Sequence, residues 1–90
     1  MKYFDWDEDK NEWLKEARNI SFEIVISLIA MGNLLDIVEH PNKEKYKDQK
    51  IFIVEYDNYA YLVPFVEDNE KIFLKTIIPS RKATQKYLSR

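Results

Sequence analysis

Residues 51–78 read IFIVEYDNYAYLVPFVEDNEKIFLKTII. Two groups of turn-forming residues, Asp57-Asn58 and Asp68-Asn69-Glu70, cut this β-rich run into three parts. Strands are therefore expected over 51–56, 59–67 and 71–78, and turns this tight make successive strands antiparallel. Pro64 falls in the strand that connectivity makes central, where it cannot donate to a ladder, so a bulge is expected near it. Alternation puts Tyr59, Tyr61, Val63 and Phe65 on one face and Leu62 and Val66 on the other. Helices are expected to cover one of these apolar faces, leaving the second partly exposed or for a partner.

Upstream, 34–39 (LLDIVE) reads as a fourth strand and 41–50 as a polar loop. Two helices should precede it. Asp7, Glu8 and Asp9 place negative charge where a helix N-terminus favours it, and Trp13, Leu14 and Ala17 then share an apolar face. Ser21 caps a second helix with Glu23 in its first turn and Gly32 as its stop. That helix carries one apolar stripe of Phe22, Val25, Ile26 and Ile29 and another of Ile24, Leu28 and Met31, so little of it should face water. The opening YFDW, residues 3–6, reads as a strand stub or a lid. Pro79 should end the last strand, with Ser80 capping a helix to about Leu88. The expected fold is α+β: two N-terminal helices, a four-stranded antiparallel sheet and a C-terminal helix, in one domain over 1–90.

Composition narrows the chemistry. Among 90 residues there is no cysteine and one histidine, His40, which leaves no disulfide framework, thiolate or His-rich metal site, or thiol catalysis. No metal or cofactor is expected. The charged start MKYFDWDEDK is unlike a signal peptide, and the longest uncharged run, 24–35, is broken by Ser27, Gly32 and Asn33. A soluble, cytoplasmic protein without membrane association is expected. Charge is distributed unevenly: residues 71–90 hold six Lys/Arg and no Asp/Glu, while the first 70 hold eight Lys/Arg against all 16 Asp/Glu. A basic block on an acidic chain suggests a polyanion site, with the charged outer face of a solubilising helix as the alternative.

Both ends of the chain also carry a family pattern. Phe4, Trp6, Asp7 and Lys10, followed by Ile20, Ser21, Phe22 and Glu23, together with IIPSRKAT at 77–84, resemble BrnT-type toxins of bacterial type II toxin–antitoxin pairs. The middle, 35–70, matches only as strands. Where those toxins have Lys-His-Gly after the first helix, this chain has Ala17, Arg18 and Asn19. The resemblance implies a RelE-like fold, a metal-independent endoribonuclease in which the RNA 2′-OH attacks the neighbouring phosphate, and a small DNA-binding antitoxin as partner. A toxin–antitoxin hetero-oligomer or a homodimer is the expected assembly.

On that reading the catalytic candidates are Arg81, Glu67 and Arg18. Arg81 stabilises charge on the phosphate, with a salt bridge to Glu67 or Asp68 as its alternative role; Glu67 is the candidate base, or else a solvated turn residue. Arg18 joins the basic site if the end of the first helix approaches the sheet. Lys82, Lys75, Lys50 and Lys10 are the candidate RNA-phosphate contacts, each with a plain surface role as alternative. His40 has a pKa suited to acid–base work but lies outside the matched motifs. Tyr56, Tyr59, Tyr61 and Phe65 are candidates for base stacking or for core packing. A non-catalytic interaction module on the same fold is the rival reading, supported by the arginine in place of the histidine and by an acidic pI of about 5.4. A DNA-binding subunit is a third, without a helix-turn-helix pattern to support it.

Overall fold

The computed structural model describes residues 2–89. Strand β1 (Tyr3–Asp5) leads into helices α1 (Glu8–Arg18) and α2 (Phe22–Ala30). Strands β2 (Leu34–Glu39), β3 (Lys50–Tyr56), β4 (Tyr59–Glu67), β5 (Lys71–Leu74) and β6 (Ile78–Pro79) follow, and helix α3 (Arg81–Leu88) closes the chain. The α+β class agrees with the sequence reading; the four-stranded antiparallel sheet does not. The sheet is mixed, in the order β1-β5-β4-β3-β2 with β6 also on β4.

The N-terminal ends of the helices form as their side chains dictate. Asp7 accepts from the N–H groups of Asp9 and Lys10, Ser21 from Ile24, and Ser80 from Ala83. The end of α2 needs its glycine: Gly32 sits at φ 88, its N–H bonding Ile29 while Asn33 N–H reaches back to Leu28. One expected face of α1 is corrected. Asn11 and Leu14 are buried, whereas Trp13 is 46% exposed and Ala17 is exposed. Positions 11, 14 and 18 point inward because they recur every three to four residues, and 13 lies outside that stripe. On α2 the inward stripe is Phe22, Val25 and Leu28, and Met31 is 70% exposed.

The Asp57-Asn58 turn joins β3 to β4 with both residues at positive φ, the primed geometry that matches strand twist. Two departures from the meander are instructive. The aromatic opening is a true strand, paired parallel to β5 with Tyr3 opposite Lys71 and Asp5 opposite Phe73. The last strand expected over 71–78 is split, because β5 pairs with β4 only to Leu74 and β6 resumes with Ile78 opposite Leu62. Pro79 is the last residue of β6, opposite Tyr61, and ends the last strand as expected.

The split explains Pro64. The Pro64 carbonyl accepts from Lys75 N–H, so the side of Pro64 that lacks a donor faces the gap between β5 and β6. Three residues, 75–77, cross that gap opposite only two, Val63 and Pro64, while the β3–β4 ladder runs through Pro64 unbroken. A second irregularity, unforeseen, lies in β2 between Leu34 and Asp36.

Both sheet faces carry helices of the chain, but the second is covered only in part, with Val38 and Leu62 left half-buried. Phe52, Val54, Val63, Phe65 and Leu74 pack against Leu14, Phe22, Val25 and Leu28 of α1 and α2. On the other face Ile51, Ile53 and Ala60 pack against Ala83, flanked by Val38, Leu62 and Tyr87. Helix α3 thus lies opposite the other two. Among the described residues no helix is long and apolar enough to cross a membrane.

Candidate functional site

The candidate residues fall into separate groups, and sheet register decides which can meet. At the end of the sheet where β3 begins, β4 ends and β5 begins, Glu67 lies between two lysines. Its Oε2 is 2.8 Å from Lys2 Nζ and its Oε1 3.8 Å from Lys50 Nζ. The hydrogen bond from Lys2 is the main reason its carboxyl is held below the usual carboxylate range, outweighing the desolvation that opposes it. Glu67 is therefore an exposed, ionised and weakened base. Lys71 Nζ pairs with Asp5 at 3.3 Å, while Asp68 Oδ1 accepts from the N–H groups of Glu70 and Lys71 and closes the turn.

Lys50, Glu67, Asp68 and Lys71 line an open cleft of about 580 Å³, also bordered by Glu39, Lys47, Asp48 and Phe73. Its lining offers three lysines against four carboxylates, so it has no net attraction for a polyanion. His40 belongs to the loop at this same end. Its Nδ1 accepts from Asn42 N–H at 3.1 Å and its ring packs on Tyr46 at 4.3 Å, a turn-forming role.

The C-terminal group is built at the other end of β4. Ser80 N–H donates to the Ala60 carbonyl, while Thr84 Oγ1 accepts from Ala60 N–H at 2.9 Å and donates to the Ser80 carbonyl at 2.8 Å. This clamp fixes the first turn of α3, with Arg81 exposed at its start, beside the first residues of β4. Seven residues of strand separate Ala60 from Glu67, roughly 23 Å at about 3.3 Å per residue. Arg81 and Glu67 are consequently not neighbours, and the salt bridge between them does not form.

Arg18 does approach the sheet. Its Nη1 donates to the Ile77 carbonyl, in the segment that leads into β6, and its guanidinium lies 5.0 Å from the Trp13 ring. Lys10 Nζ lies 4.4 Å from the same ring. Lys75 follows β5, its Nζ 5.7 Å from the Phe73 ring, with Lys71 on the ring's other flank at 5.8 Å. Among the described residues, Lys10, Arg18, Lys75, Arg81, Lys82 and Lys86 form no ion pair, whereas Lys2, Lys50 and Lys71 do.

No family model, curated protein or solved structure matches the chain. Its site has to be argued from geometry alone. Sequence reading passed over Lys2 and Phe73: Lys2 meets Glu67 only through the parallel β1–β5 pairing, but the alternation Lys71, Phe73, Lys75 on one face of β5 is visible in the sequence itself. The tyrosines on the helix-covered face pack on one another, Tyr56 at 6.1 Å and Tyr59 at 5.9 Å from Tyr61, and burial raises the Tyr61 pKa. Phe65 stacks on Phe52 at 4.0 Å inside the core. Among the described residues there is no cluster of His, Cys, Asp or Glu able to hold a metal ion.

Proposed function

We propose that this protein is the toxin of a toxin–antitoxin pair, an RNA-directed, metal-independent endoribonuclease whose phosphate site is the segment running from Lys75 through Lys82. The observation that carries this reading is that Lys75, Arg81 and Lys82 are exposed and lack carboxylate partners, in a segment with no acidic residue. Free cations keep their attraction for phosphate; paired ones have largely spent it. Arg18 is held against the same segment and adds a fixed guanidinium.

In this site Arg81 and Lys82 stabilise the charge that builds on the phosphorus-bound oxygens as the 2′-oxygen bonds to phosphorus and the bond to the 5′-oxygen breaks, giving a 2′,3′-cyclic phosphate and a free 5′-hydroxyl. Glu67 lies at the far end of β4 and takes no part. Proton transfer then falls to water, since no carboxylate lies within ion-pair distance of these cations among the described residues. Cleavage is expected to be slow without an added acid or base, because a positioned one contributes about 10²–10⁴-fold.

The test is inducible expression in a bacterium, wild type beside Arg81→Ala, following growth and the integrity of total RNA. Arrest and RNA cleavage by the wild type alone, with both proteins folded, is the expected outcome. Normal growth and intact RNA in both would end the ribonuclease reading. The separation of Glu67 from Arg81 favours a second one, a non-catalytic module that holds a protein partner on the same fold.

A further inference from the structure

The face of the sheet covered by α3 is not filled by it. Between α3 and the strands lies a groove of about 280 Å³ with Val38, Ile53, Leu62, Ala83 and Tyr87 as its floor and sides. Lys82 and Lys86 stand on its rim, one helical turn apart on α3, and no carboxylate lines it. The nearby carboxylate, Asp36, accepts from the Tyr87 hydroxyl at 2.7 Å; that bond first, then Ile37 N–H and the charge of Lys86, hold its carboxyl below the usual range, so it stays ionised and offsets part of the charge of Lys86 while Lys82 keeps its own. An apolar floor with an unpaired cationic rim is poorly suited to water and well suited to a ligand that brings apolar side chains and negative charge together.

We infer that this groove is the docking site for an acidic amphipathic helix of a protein partner, lying along α3 with its carboxylates on Lys82 and Lys86. Charge complementarity selects this occupant. A second copy of the chain would have to bring its own Lys82 and Lys86, or an acidic and apolar surface not opposite them. Nucleic acid would satisfy the lysines but leave Val38, Leu62 and Tyr87 facing a sugar–phosphate chain. A helix satisfies both, because carboxylates four residues apart match the spacing of the lysines and the side chains between them reach the floor. Lys82 also belongs to the proposed phosphate site, so an occupant would compete with RNA for it. Docking itself does not depend on the ribonuclease reading.

The experiment is a titration of the isotope-labelled protein, without RNA, followed by amide chemical shifts. The probe is a synthetic amphipathic helical peptide with leucine on one face and glutamate flanking it; its counterpart has lysine for every glutamate. The acidic peptide should move the amides of Val38, Ile53, Leu62, Ala83 and Tyr87, and the basic one should not. Lys82→Glu with Lys86→Glu should weaken binding about tenfold or more, since like charges then face one another. Lys45→Glu with Lys47→Glu, an equal change of net charge away from the groove, should leave binding within about twofold. Absence of shifts, shifts confined to another surface, or equal binding of both peptides would overturn the inference. So would groove shifts that grow with protein concentration alone, which would assign the face to a second copy, or groove shifts produced by an RNA oligonucleotide rather than by the acidic peptide. RNA cleavage is measured separately, so a protein that docks the peptide but cuts nothing refutes the enzyme reading and leaves this one standing.

Discussion

Two side chains show how differently a polar residue can act in this small domain. Asn11 is fully buried; its Oδ1 accepts from Phe22 N–H at 2.8 Å and its Nδ2 donates to Glu23 at 2.7 Å, tying α1 to the start of α2. Asn11→Ala leaves the Phe22 N–H without a partner in a dry site, so a loss of about 1–3 kcal/mol is expected in urea denaturation. Glu67 is the opposite case, an exposed carboxylate held by Lys2 and Lys50. Its folded pKa lies below the unfolded one, so its contribution is present above about pH 4.3 and fades as pH falls through the folded value. Glu67→Gln should therefore cost little stability at pH 7, as exposed pairs do, and the gap to wild type should narrow in unfolding curves as pH is lowered through the folded value. The same variant should leave RNA cleavage unchanged; a loss with the fold intact would return Glu67 to the role of base.

At the scale of elements, one hydroxyl is a main tie between α3 and the sheet. The eight-residue helix is too short to be stable alone, and Thr84 joins it to β4 by satisfying the buried Ala60 N–H. Thr84→Val keeps the shape and removes the acceptor. It should cost about 1–3 kcal/mol and speed hydrogen exchange at the Ala60 amide before the β3–β4 ladder opens. Local chemistry written in the sequence is readable at this scale: the caps Ser21 and Ser80, the acidic start of α1, the stop at Gly32 and the turn at Asp57-Asn58 all act as residue type predicts. What depends on distant partners was not readable. Nothing local in YFDW specifies a parallel neighbour 68 residues later, and nothing in KIFLKTII marks the exit of the chain at Lys75 except the proline it leaves facing the gap. The candidate site failed to assemble for the same reason. Arg81 and Glu67 are 14 positions apart, but β4 holds Glu67 at its end and Ala60, the anchor of α3, near its start.

For the whole molecule, the proposed function requires an acidic protein to hold RNA. The formal net charge is −2, yet the segment after β5 is purely basic. The molecule measures 37 × 30 × 24 Å, against a screening length of about 10 Å at 0.1 M salt and about 30 Å at 0.01 M. At physiological salt the carboxylates around the cleft beside Glu67 are therefore screened from a phosphate at Arg81, and local cations govern the encounter. At very low salt they are not, and the acidic remainder of the chain repels the strand. Binding to a single-stranded RNA measured across salt should thus show two regimes. Above about 0.1 M, log affinity should fall with log salt with a slope near −3, from about 0.7 for each phosphate met by Arg18, Lys75, Arg81 and Lys82. Below about 0.01 M the line should flatten as the repulsion grows. Arg81→Ala should make the upper slope shallower by about 0.7, while Lys50→Ala, at the far end of the sheet, should leave it as it is. An equal change from both variants would mean that the strand follows the whole surface rather than the C-terminal segment, and the proposed site would have to be abandoned.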